Sequence, residues 1–206
     1  MASEAAVEIA DMVEVRFALQ DGTLAKAYRA NLAEALQAAL PWLAEAPDAG
    51  VHRLNLVAGG GGEMLVTPRT RLVLRVPRER AQAAMALAGT VLRVGQDALR
   101  PWSPQLRELL PYATLYAHFV AAPDTDEAAL VGRARRELEA IDVPAQPVCG
   151  RWQSPEGAMV GCSVMLAGLT RAESLRVLRR GIGPQRLLGC GLFVPHKSAA
   201  AVGAAG

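Results

Sequence analysis

Two glycine triplets near the C-terminus, Gly181-Ile182-Gly183 and Gly189-Cys190-Gly191, stand five residues apart and follow the basic pair Arg179-Arg180. Glycine lets backbone N–H groups approach a bulky anion with no Cβ between them, and it reaches positive φ freely. With Arg186 inside the loop, the spaced pair predicts a phosphate cradle. The alternative is structural: a helix cap at Gly181, a turn at Gly183-Pro184, and close strand packing at Gly189 and Gly191. Proton transfer near neutral pH calls on histidine, with an unperturbed pKa of about 6.5. The chain has three: His52, His118 and His196. His52 opens the strand after the first helix; His118 lies inside an apolar strand, where packing is the plainer role; His196 stands beside Lys197 at the chain's end.

Other chemistries find no motif. There is no H-E-x-x-H, no H-x-H and no closely spaced aspartate pair, so no metal is expected, and no Walker loop is completed by G-K-[ST]. Cys149, Cys162 and Cys190 are odd in number and widely spaced, which suits a reducing cytoplasm better than a disulfide framework or zinc site. The acidic N-terminus does not read as a signal peptide, and the longest apolar run, residues 157–169, is shorter than the ~18 residues of a membrane span. A cytoplasmic protein without membrane partners is expected.

The elements that must position these residues follow from periodicity. Residues 12–19 alternate Val13, Val15, Phe17 and Leu19 against Glu14, Arg16 and Ala18, as a half-buried strand does. A helix over 27–44, a strand over 50–57, a tetraglycine hairpin loop over 59–62, a strand over 64–76 broken at Pro68, a helix over 78–88 and a strand over 91–94 give the order βαββαβ. The second half repeats it: strand 114–121, helix 126–141, a hairpin of 147–153 and 158–167 turned at 154–157, a helix from Thr170 with Glu173 completing a capping box, and a last strand. The class is α+β, two tandem ferredoxin-like, RRM-like domains. The boundaries are 1–99, a proline-marked linker over 100–112, 113–197 with the glycine loop, and a disordered tail over 198–206.

Net charge is only +2, and of the basic residues only Lys26 and Lys197 are lysines. Arginine suits phosphate and stacks on bases, although a GC-rich genome gives the same bias. On the non-core phase of the first-half strands, Arg16, Arg71, Arg75 and Arg93 form an expected basic sheet surface, weakened by Glu14.

A tandem ferredoxin-like chain with Gly-apolar-Gly, five residues, Gly-apolar-Gly before its last strand resembles the RAMP superfamily of CRISPR-associated proteins. The segment 187–195 and the early Leu40-Pro41-Trp42-Leu43 with a histidine soon after are most similar to its repeat-processing endoribonucleases. The resemblance implies metal-independent cutting of CRISPR precursor RNA within repeat stem-loops: the 2′-hydroxyl attacks the adjacent phosphate, leaving a 2′,3′-cyclic phosphate and a 5′-hydroxyl. It implies crRNA and other effector-complex subunits as partners, and no cofactor. It points to His52 as the catalytic residue, with Tyr28 and Lys26 as helpers by position. Arg53, Arg71, Arg75, Arg151, Trp152, Arg179, Arg180, Gly181, Gly183, Arg186, Gly189 and Gly191 are the candidate RNA contacts, with packing as the alternative for Trp152. Non-catalytic guide-RNA-binding RAMP subunits share the fold and the loop. A small-anion-binding protein of the same architecture is the third possibility.

Overall fold

The computed structural model describes residues 11–154 and 159–196. Strand β1 (Met12–Leu19) buries Val13, Val15, Phe17 and Leu19 toward the helices and turns Glu14 and Arg16 to the other face. The short β2 (Gly22–Ala25) leads to α1 (Arg29–Ala39), which buries Leu32, Ala33 and Leu36. The helix expected over 27–44 stops earlier: Pro41 lacks the N–H that would continue it, and Pro41–Glu45 closes as a 3-10 turn.

The strand expected over 50–57 splits. Strand β3 (Gly50–Val51) pairs with the first main sheet, whereas β4 (Val57–Ala58) pairs with β5 (Glu63–Val66) across the glycine turn. Between them the Leu54 N–H donates to the Tyr28 hydroxyl at 3.0 Å instead of to a ladder. Strand β6 (Arg71–Pro77) follows, then α2 (Ala81–Met85) after a 3-10 turn. Strands β7 (Leu92–Val94) and β8 (Asp97–Leu99) form a separate two-stranded ribbon, so Arg93 lies apart from the sheet it was expected to share. The fourth strand of the main sheet is β9 (Pro101–Glu108), within the segment expected as a linker. An edge strand tolerates proline because one side of its ladder needs no donor, and β9 is such an edge, so Pro101 and Pro104 do not break it.

The second half runs β10 (Leu115–Ala122), α3 (Glu127–Glu139), β11 (Val148–Gln153), β12 (Val160–Leu166), α4 (Arg171–Arg180) and β13 (Phe193–Pro195). Asp126 caps α3, and Thr170 with Glu173 forms the expected capping box on α4. The expected hairpin turn falls mostly, and the tail wholly, outside the described residues. The two main sheets have the orders β3-β6-β1-β9 and β11-β12-β10-β13, antiparallel throughout. Both are ferredoxin-like sheets, each with its own apolar core. Among the described residues no helix is long and apolar enough to cross a membrane.

Candidate active site

Strand pairing sets Glu14 opposite Arg75, both on the sheet face away from the helices. In an isolated domain that face would be wet. Here the end of α4 lies over it, and the Arg75 guanidinium, wholly buried, donates to the Leu178 carbonyl at 2.8 Å. A buried guanidinium requires a counter-charge. Arg75 Nη2 donates to Glu14 Oε1 at 2.7 Å, while Arg16 Nη2 donates to Oε2 at 2.9 Å. His52 Nε2 lies 3.1 Å from the same Oε1. That contact is close but not aligned as a hydrogen bond, so the pull of the carboxylate on the ring's dipole, together with packing, holds the ring there.

Burial favours the neutral form of Glu14, but His52 and Arg75 together outweigh it and hold the carboxyl well below the usual carboxylate range. Burial pushes the His52 pKa down, Arg75 adds to that, and Glu14 opposes it without reversing it. The result is a neutral imidazole at physiological pH whose side chain keeps 15% of its surface exposed.

The other two histidines approach from the second domain. His118 is exposed on β10, not packed inside as the sequence suggested, and its ring meets Tyr116 edge-on with centroids 5.1 Å apart. His196 is exposed beyond β13, with its ring 5.5 Å from that of Tyr116. Partial burial lowers the His118 pKa, the positive charge of Arg53 acts in the same direction, and His52 and His196 lie within electrostatic reach of the same ring. The fold thus gathers all three histidines, with Arg53, along the seam between the domains.

The glycine loop has a different role from the one its sequence suggested. Seven of its amides are engaged within the protein: Gly181 N–H donates to Val177 O, Ile182 to Gly191 O, Gly183 to the Glu137 carboxylate, Leu188 to Gln185 O, Gly189 to Arg186 O, Cys190 to Gln185 O and Gly191 to Phe119 O. It is a strap between domains, and the amides of its four glycines are not free to cradle a phosphate. Leu192 fills the space a Cβ would need at Gly50, and Gly189, at φ +81°, packs on the backbone of Val51 and Arg53 on either side of His52. At Gly191 (φ +68°) a Cβ would stand 1.9 Å from the Ile182 carbonyl oxygen. Gly191→Ala is expected to cost about 1–3 kcal/mol, read as an earlier urea midpoint, since positive φ and the clash both penalise it.

Several further candidates fall elsewhere. Tyr28 is in the first core, its hydroxyl accepting from Leu54 N–H, which suits packing and not proton transfer. Lys26 is exposed before α1, and no contact among the described residues ties it to His52. Arg75 is a buried ion-pair partner, so it cannot touch RNA. Arg179 and Arg180 are exposed but paired with Asp11 and Asp48. Arg186 folds back over Gly181, where burial lowers its pKa. Trp152 packs on the second core, leaving Arg151 exposed beside it. Arg53 and Arg71 are exposed, and Arg71 is braced by the carbonyls of Pro68 and Thr70. Sequence reasoning missed Glu14 as the group holding His52; the alternation that put it on the open face with Arg75 was the available signal.

The chain matches the family described as Cas6 CRISPR over residues 13–198. A CRISPR-associated endonuclease Cas6 of Myxococcus xanthus is 35% identical to it over 194 residues, covering 92% of this chain and 84% of that protein. Among solved structures, a CRISPR-associated protein Cas6 superposes with a TM-score of 0.60 at 14% identity, over 90% of this chain and 100% of that one. A Cas6-related protein from Pyrococcus furiosus gives 0.62 at 10% identity, over 91% and 99%. At these identities the structures share the fold.

Proposed function

We propose, because the chain belongs to the Cas6 family of CRISPR proteins, that it is an endoribonuclease cutting CRISPR precursor RNA within its repeats by metal-independent chemistry. The observation that carries this reading is a neutral, part-exposed His52 held on Glu14 beside Arg53 and two further histidines. The relative named an endonuclease supports it.

In this reaction the 2′-hydroxyl proton passes to His52, O2′ bonds to phosphorus, and the P–O5′ bond breaks. The departing O5′ takes a proton from the exposed His118–His196 pair, leaving a 2′,3′-cyclic phosphate and a 5′-hydroxyl. The Glu14 carboxylate beside Nε2 favours the tautomer protonated there, so Nδ1 is the accepting nitrogen. Arg53 faces the charge that develops on the phosphorane. The exposed arginines retain the product, which passes with the protein to effector-complex subunits. The engaged loop amides remove the ground for a protein that holds a small anion there.

The test is single-turnover cutting of labelled repeat RNA in EDTA. One site-specific cut is expected, with the stated product ends, and none in RNA carrying a 2′-deoxyribose at that position. The base must be deprotonated and its pKa is depressed, so the acid limb of the pH–rate profile is expected below 6.5. Salt-sensitive binding without cutting would identify a guide-RNA-binding subunit instead.

A further inference from the structure

A concavity of about 1180 Å³, whose lining does not include His52, opens on the first domain's sheet face toward its β9 edge. Arg16, Arg71, Arg100 and Arg107 line it with Asp21 as the one acid, and the Trp102 indole, 54% exposed, stands at its side. The register explains this grouping: Trp102 is opposite Ala18, and Gln105 is opposite Arg16, so Trp102 shares the open face with the arginines. Among the described residues, none of Arg71, Arg100 and Arg107 is paired with a carboxylate. Arg16 belongs to both places, lining this groove and pairing with the Glu14 that holds His52. Arg16 therefore links the groove to the candidate active site.

We propose that this groove binds an unpaired segment of the RNA, one base stacked on Trp102 and its phosphates on Arg71, Arg100 and Arg107. An exposed tryptophan on a sheet, flanked by guanidiniums that no carboxylate neutralises, has the chemistry of a single-strand site: every base offers a π face, and the backbone supplies regularly spaced negative charge. A duplex offers no free base face to the indole, so the groove selects single strand over stem. Its link to His52 through Arg16 and Glu14 makes the occupant the unpaired flank of the same RNA that is cut, a deduction resting on the proposed function. A protein strand added to the β9 edge would use the ladder and not the arginines.

The experiment compares the full chain's affinity for repeat RNA with and without its unpaired flanks by fluorescence anisotropy. Trp102→Ala is expected to weaken binding of the flanked RNA by about 5–100-fold, since stacking contributes about that factor per base. It should leave the stem-only RNA unaffected, and Trp102→Phe should restore most of the loss. Arg107→Ala should flatten the slope of log affinity against log salt by about one for the flanked RNA alone. Equal affinities of wild type and Trp102→Ala for the flanked RNA, or equal losses on both RNAs, would overturn the assignment. A wild-type protein that cuts repeat RNA while Trp102→Ala changes nothing sinks the groove alone. One that never cuts, yet shows the flank-specific loss, sinks the nuclease reading and leaves the groove standing.

Discussion

His52→Ala is expected to lower single-turnover cutting of repeat RNA by about 10²–10⁴-fold, the usual loss when a positioned general base is removed. RNA binding should change little, because the expected phosphate contacts, Arg53 among them, are separate residues. Folding should also survive, since Glu14 keeps Arg75 and Arg16 when the imidazole goes. The variant even loses an acid liability. The folded pKa of His52 lies below its unfolded value, so its contribution to stability is present above about 6.5 and is lost as pH falls below that. His52→Ala should show less destabilisation than wild type between pH 7 and 5, measured by urea titration. Cutting within a few-fold of wild type would remove His52 from the mechanism.

Arg75→Met is expected to be the most destabilising single change, at about 3–5 kcal/mol, the usual result of stranding one member of a buried ion pair. It strips Glu14 of its shortest ion pair and leaves the Leu178 carbonyl without its donor. For a chain of this length the melting temperature should fall by roughly 6–20 °C. The charge is the cause, so Arg75→Met with Glu14→Leu should recover much of the loss, while cutting stays low because His52 has lost its carboxylate. The pH dependence supplies a second readout. The folded carboxyl of Glu14 is depressed below its ordinary 4.5, so its contribution is present above that value and is lost progressively as pH falls below it toward the depressed folded value. In Arg75→Met the stability curve should be flatter below about pH 4.5. A double variant no more stable than the single would show that packing, not charge, governs the position.

Much of the fold was legible because most strands are half-buried. Alternation in residues 12–19 gave β1 with its bounds, and Thr170 with Glu173 marked the start of α4. Strand β9 escaped because it is an edge with little of its surface covered: beyond Pro101 nothing in it is buried, so no apolar alternation was present to read. His118 shares its outward phase with Tyr116 between the buried Leu115, Ala117 and Phe119, so periodicity could have exposed it. The site itself was half legible. The position of His52 was readable, but its state depends on Arg75 being sealed by Leu178, a contact 103 residues away along the chain that no local pattern encodes. The glycine spacing misled because positive φ and close approach serve an inter-domain seam as well as an anion.

Gly189 touches backbone on both sides of His52 while standing in the other half of the molecule. A mutational scan scored only on crRNA output would therefore count Gly189 and Gly191 among the nucleic-acid contacts. Their defects would be architectural, displacing the imidazole by fractions of an ångström, and would respond to suppressors in the β3 turn while ignoring changes in repeat sequence.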